Sequence, residues 1–152
     1  MIQLLPDAAL SLAEEQRRKI ACILVLVAAA DGALVREEIS AIESAMGAMM
    51  LHPESREEVR QLLTQPPELD SILDGMDISA IRIALRDSAL LASVDGEYDE
   101  AELWALRRIS DAGGLSENEL SDILDWVSLS WKHGAAGRAI IALPMPGDDA
   151  II

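Results

Sequence analysis

Five carboxylates fall within eight positions of the stretch LASVDGEYDEAELWALRRIS, residues 91–110. Carboxylate oxygens are ligands that Ca²⁺ and Mg²⁺ prefer in proteins. The chemistry that this stretch could support is therefore the binding of a divalent cation. The simpler alternative is an acidic turn between two helices, in which the carboxylates accept hydrogen bonds from backbone amides.

A calcium EF-hand explains only half of the spacing. Asp95, Gly96 and Glu102 match EF-hand loop positions 5, 6 and 12, but positions 1 and 3 would be Leu91 and Ser93, which lack the usual carboxylate or amide oxygens. A register that begins at Asp95 supplies acids at positions 1, 3 and 5 but lacks the turn glycine and the final bidentate glutamate. The sequence therefore excludes an ordinary EF-hand.

The same pattern occurs twice in the chain. The segment ILVLVAAADGALVREEISAIE, residues 23–43, aligns without a gap on DSALLASVDGEYDEAELWALR, residues 87–107, at an offset of 64 residues. Each copy contains Asp-Gly, five further residues and Glu. The matched carboxylates are Asp31 with Asp95 and Glu38 with Glu102. We therefore predict a duplicated helix-turn-helix unit.

The four matched carboxylates have two interpretations. Asp31 and Asp95 close the incoming helix of each hairpin, and Glu38 and Glu102 stand in the first turn of the outgoing helix, where side chains lean back toward the turn. They could serve only the turn amides and the helix N-terminus. Alternatively they bind Ca²⁺ or Mg²⁺, because carboxylates within about 4 to 6 Å of each other repel unless a proton or a cation intervenes. A complete cation site would need ligands from both hairpins, or backbone carbonyls and water.

The segments AAADGALVREEISAI and ASVDGEYDEAELWAL resemble the TerB-like family, which is associated with tellurite resistance, over roughly residues 15–130. The resemblance implies an all-helical bacterial domain of two related halves, with a stress-related role, no defined enzymatic activity and an acidic cluster that binds divalent metal. The ligands it implies are Asp31, Glu38, Asp95 and Glu102. Val35 stands where the second copy has Asp99, which argues against two equivalent metal sites.

Helical spacing, and the lack of segments that alternate with period two, predict an all-α domain of about seven helices over residues 1–152. We expect long helices over 8–30 and 36–51, short helices after Pro53 and after Pro66-Pro67, and a helix that begins after Asp77. Asp99 and Ser116 should cap the next two helices, and the glycines at 113, 114 and 134 should end them. The core then covers about residues 8–134, with a C-terminal tail over 135–152 that packs along the bundle.

The charge balance limits the partners. The chain has 12 Lys and Arg against 27 Asp and Glu, a formal charge of −15, which repels nucleic acid and anionic lipid. A basic protein surface is the alternative partner to a cation, with the turn carboxylates then purely structural. Trp126 lies off the main apolar stripe of the last helix, which indicates either a helix buried on a wider arc or an exposed apolar patch.

The single cysteine, Cys22, cannot form an intramolecular disulfide, so we expect a cytoplasmic protein. The apolar run 20–30 follows three basic residues and imitates a signal peptide, but eleven residues are too short to span a membrane. We expect a buried central helix there and no transmembrane segment. His52 and His133 belong to no catalytic motif, so we expect no enzyme.

Overall fold

A computed structural model describes residues 8–32, 34–95 and 97–150, without the side chain of Asp95. In these ranges the chain forms seven α-helices and no strand, which confirms the all-α class. The helices are α1 (Glu14–Ala28), α2 (Arg36–Ala48), α3 (Pro53–Gln61), α4 (Leu69–Leu73), α5 (Ile78–Ala92), α6 (Glu100–Ala112) and α7 (Glu117–Ile140). Short 3₁₀ turns lie at Ala9–Ser11, Ser93–Asp95 and Asp148–Ala150.

The helices α1 and α5 form the centre of the bundle and pack against each other more extensively than any other pair. All side chains from Ile20 to Val25 are buried, so α1 is apolar around its whole circumference over that stretch. A helix that is apolar on every side is stable only when other helices surround it. Residues 20–28 of the apolar run thus lie in the buried central helix that the sequence predicts, and Ala29 and Ala30 fall in the turn after it.

No helix among the described residues combines the length and the apolar character needed to cross a membrane.

Equivalent helices of the two halves begin at a constant offset along the chain. Helices α1 and α5 have 15 residues each, α2 and α6 have 13 each, and the second member of each pair begins 64 residues after the first. Helices α3 and α7 also begin 64 residues apart, but α3 has 9 residues and α7 has 24. The helix starts therefore follow the offset of the two aligned segments, and the repeat breaks down where α7 outlasts α3.

The predicted caps of α6 and α7 are present. The Glu102 amide donates to Asp99 Oδ1 at 2.7 Å, and the Glu119 amide donates to Ser116 Oγ at 3.1 Å. In return Glu102 Oε2 accepts from the Asp99 amide at 3.3 Å. Both helices begin with a reciprocal capping box, as the spacing of these residues predicts.

The predicted start of the first helix and the predicted end of the last helix are wrong. The first helix does not start at Ala8, because extended backbone at Leu12 and Ala13 separates a 3₁₀ turn from α1. Helix α7 does not stop at Gly134 but continues to Ile140, because the buried Ala135 keeps this stretch packed and offsets the weak helix propensity of glycine. Helix α6 ends at Ala112, as the two glycines after it predict, although only Gly114, with φ of 69°, is left-handed.

The end of α7 is tied to the residues that follow it. The Arg138 guanidinium donates from Nε and Nη2 to the two carboxylate oxygens of Asp148 at 2.8 and 2.7 Å. The Met145 amide also donates to Asp148 Oδ2 at 2.8 Å. These bonds lower the pKa of Asp148 to about 2 and fold the chain after Ile140 back onto α7.

Ser88 offers a direct test of packing in the centre of the bundle. Its hydroxyl is fully buried in α5, and no described group forms a hydrogen bond with it. Since a buried hydroxyl without a partner destabilises the fold, Ser88→Ala should raise the free energy of unfolding by about 1 kcal/mol. Urea denaturation monitored by circular dichroism measures this.

Ser93→Ala is the matched control for that measurement. The Ser93 hydroxyl donates to the Leu90 carbonyl at 2.7 Å and accepts from the Trp131 indole at 2.7 Å. Removing it leaves the indole N–H without this acceptor and should cost about 1 to 3 kcal/mol. Equal effects of the two substitutions would contradict the assignment of Ser88 as an unpaired group.

Candidate metal centre

Asp31 lies in the turn that follows α1. The Gly32 amide donates to the Ala29 carbonyl at 3.0 Å, and Gly32 has φ of 82°. Glycine adopts this left-handed conformation without the steric cost that a Cβ would bring, which explains the Asp-Gly order. The turn leaves the Asp31 side chain exposed at the end of the bundle.

Asp99 and Glu102 are held by the capping box that begins α6. Asp99 is the exposed N-cap residue, whereas Glu102 is only 1% exposed although it carries a carboxylate. Each side chain accepts a hydrogen bond from the backbone amide of the other. The two carboxylates are therefore fixed relative to each other before any ligand binds.

The packing of α1 against α5 and α6 brings the two hairpins together. Asp31 from the first hairpin joins Asp99 and Glu102 from the second, and one carboxylate oxygen of each lies within 4.8 Å of those of the others. We call these three residues the acidic trio. The trio is assembled across the hairpins, so a single copy of the repeated motif does not form it.

Tyr98 lies next to the trio and takes part in its electrostatics. Burial of the ring raises the pKa of Tyr98 to about 12, and the negative charge of Glu102 adds to the increase, although a hydrogen bond with Ser93 opposes it. The hydroxyl donates to the Ala89 carbonyl at 3.0 Å. Tyr98 is thus a neutral group that ties the turn to α5, and the charge at this place comes from carboxylates.

The donor atoms of the trio suit a hard divalent cation. Oxygen ligands of Ca²⁺ lie 2.3 to 2.6 Å from the ion, so two of them are at most about 5 Å apart. The spacing of the trio satisfies that limit. Mg²⁺ requires distances near 2.1 Å and hence a tighter cluster, at most about 4 Å across.

The four predicted ligands differ in position. Asp31 and Glu102 lie together in the trio. Glu38 is buried in the first turn of α2, where its Oε2 accepts from the Val35 amide at 3.3 Å, and it is not a member of the trio. The side chain of Asp95 lies outside the described residues. The convergence of all four predicted carboxylates at one site stays a prediction.

Asp99 is the member of the trio that was not among the four predicted ligands, because its spacing from Glu102 predicts a helix cap. The structure shows that the same side chain serves the cap and joins the trio. The signal that could have found it is the substitution of Val35 for this aspartate in the first copy. A cap that serves only its helix would have little reason to differ between two copies.

The tryptophans differ in exposure. Trp126 is half-buried and packs against the core, which fits the wider buried arc of the last helix and not an exposed apolar patch. Trp104, in the second turn of α6, is 61% exposed instead. The accessible tryptophan is thus on α6, two residues after Glu102.

Comparisons of this chain with protein-family models, with curated proteins and with solved structures give no match.

Proposed function

We propose that this chain is a non-enzymatic, TerB-like helical domain that binds one divalent cation through Asp31, Asp99 and Glu102. The observation that carries the proposal is the cross-hairpin geometry of the acidic trio, in which three carboxylate oxygens share a sphere of the size that Ca²⁺ requires. Three negative charges this close repel each other in the absence of a counter-charge. A bound cation relieves that repulsion.

The two related halves are part of the same proposal. The aligned Asp-Gly turns and the helix starts both repeat after 64 residues, which supports a duplicated unit. The resemblance to the TerB-like family then gives the cation site a context, namely a response to metal-related stress in a bacterial cytoplasm. Cation binding by the trio can be measured independently of the family and the pathway.

One cation per chain is the stoichiometry that we propose. The residues at the matching positions of the other copy are Asp95, Val35 and Glu38. Valine has no side-chain oxygen, whereas Asp99 at the equivalent position of the trio has a carboxylate. The second set therefore offers fewer oxygens than the acidic trio.

Calcium is the preferred ion in this proposal because the trio supplies only three carboxylates and two of them are exposed. Ca²⁺ takes six to eight oxygens in flexible geometry, so backbone carbonyls and water can complete the shell around three carboxylates. Mg²⁺ demands near-ideal octahedral geometry and keeps several waters. We therefore expect calcium to bind more tightly than magnesium.

Titration of CaCl₂ into chelator-stripped protein tests the proposal. A ligand that binds only the folded state at a hundredfold excess over its Kd stabilises that state by about 2.7 kcal/mol, so the melting temperature should rise and saturate. Asp31→Asn should abolish most of this rise, because it removes one charge and one ligand from an exposed turn without disturbing the core. Calorimetry should give one site per chain.

Glu100→Gln is the matched control. It removes an exposed charge at the start of α6, next to Asp99, but Glu100 is not a member of the trio. It should keep the calcium response. A response that is absent in the unaltered protein at millimolar calcium, or equal in both variants, would rule the site out.

A further inference from the structure

A groove of about 470 Å³ lies beside the acidic trio. Its first wall is the end of α1, with Leu26, Ala29 and Ala30 at helical spacing. Its second wall is the start of α6, with Ala101 and Trp104, and its floor and third side come from residues 66–70. Small alanine side chains thus line part of both walls, and Trp104 is the large aromatic side chain on the second wall.

The corresponding place in the other half of the chain is filled. At the 64-residue offset Ala29 corresponds to Ser93 and Pro67 corresponds to Trp131. The Trp131 indole donates to Ser93 Oγ at 2.7 Å, and Ser93 is only 8% exposed. The long helix α7 thus places an aromatic side chain over the end of α5.

The end of α1 has no such cover among the described residues. Helix α3 stops at Gln61, and the chain then passes the groove with two prolines in place of a continued helix. Ala29 and Ala30 remain half-buried, and Trp104 on the opposite wall is 61% exposed. An aromatic side chain from another molecule would occupy the position that Trp131 occupies in the second half.

The charges around the groove favour a basic partner. Glu68 lines it and is exposed, and Asp31 follows directly after the wall residue Ala30. Asp70 also lines it but forms an ion pair with Arg108 at 2.9 Å. Lysine or arginine beside Glu68 would gain an opposite charge and could also approach the exposed face of Trp104.

We propose that this groove binds a helical segment of a partner protein that inserts one aromatic side chain between α1 and α6 and presents a Lys or Arg to Glu68. Binding of an amphipathic helix in an apolar groove is a common recognition mode, with one large side chain as anchor. The chain itself contains such a pair in Trp131-Lys132, which is the covering segment of the other half. The inference does not depend on cation binding at the trio.

The probe is a synthetic peptide with the sequence of residues 128–138, SLSWKHGAAGR, added to ¹⁵N-labelled full chain in a chelator. The chelator keeps the outcome separate from that of the calcium titration. We expect saturable shifts of the Trp104 indole N–H and of the Ala29 and Ala30 amides. The indole signals of Trp126 and Trp131 should stay in place.

Two variants test the position of the peptide. Trp104→Ala should weaken peptide binding at least tenfold, and the fold should be retained because Trp104 is exposed. Ala101→Leu should abolish binding by filling the groove, since leucine is a good helix former at this half-buried position. A peptide with alanine in place of the tryptophan is the control ligand, and it should not bind.

Several results would overturn the proposal. They are a Kd weaker than about 1 mM, binding that both variants retain, or shifts at Trp131 that show exchange with the chain's own α7. A dimer of the unaltered chain that Trp104→Ala converts to a monomer would identify a second copy, and not a partner, as the occupant. Sedimentation velocity decides that last case.

Discussion

Replacing Leu24 by alanine is expected to lower the free energy of unfolding by about 2 to 5 kcal/mol, the range found when a large buried aliphatic side chain is truncated. Leu24 is fully buried in α1, the central helix of the bundle. The loss combines the transfer free energy of the removed methyl groups with the cavity that they leave, because neighbouring helices collapse only partly. Since domain stability is typically about 5 to 15 kcal/mol, this single change removes a large share of it.

Urea denaturation of Leu24→Ala and of Leu129→Ala measures the effect. Leu129 lies on α7 and is 62% exposed, so its truncation should change stability by less than about 0.5 kcal/mol. The two variants lose the same atoms and differ in burial. If they lost the same stability, α1 would not be the centre of the core.

Replacing Glu102 should give the second large loss of stability, because this residue serves both the fold and the proposed cation site. Glu102→Ala removes the acceptor of the Asp99 amide and leaves a cavity at a position that is 1% exposed. We expect a loss of about 1 to 3 kcal/mol in a chelator. In saturating calcium the deficit should grow, because the unaltered chain is stabilised by the ion and the variant is not.

Glu102→Gln separates the two roles. The glutamine oxygen can still accept from the Asp99 amide, and the side chain has nearly the same volume, so the cap and the packing should survive. The variant also removes one of three mutually repelling charges, so its stability in a chelator should equal or exceed that of the unaltered chain. Its calcium response should nevertheless be lost.

Thermal melts with and without calcium decide between these outcomes. If Glu102→Gln kept the full calcium response, Glu102 would not be a ligand, and the trio would be reduced to two exposed aspartates. Such a pair has too few protein oxygens for a specific calcium site. The capping role of Glu102 would then be its only function.

Local sequence signals determined most of the helix starts. Pro53 at the first position of α3, and the Asp99 and Ser116 caps, act through backbone groups within about one turn of the residue itself. Such interactions need no distant partner. The positive φ of Gly75 and Gly114 after α4 and α6 follows from the same local rule for glycine.

Packing, and not local sequence, decided where the last helix ends. Gly134 stands in a sequence that is typical of a helix end, but α7 runs on because Ala135 is buried. A glycine lowers helix propensity by about 1 kcal/mol, which tertiary contacts readily offset. Exposure of the tryptophans likewise depended on which helix face meets a neighbour, so Trp104 and not Trp126 is the exposed one.

The candidate site also combines features visible in the sequence with features that only the tertiary structure shows. From sequence alone the repeat identified Asp31 and Glu102 as candidate ligands, because identical spacing in two copies is visible without a structure. Only the tertiary structure added Asp99 to Asp31 and Glu102, because the trio joins residues 68 and 71 positions apart through the packing of α1 with α5 and α6. Spacing along a chain determines contacts within a helix or a turn, whereas the distance between two hairpins is set by the core between them.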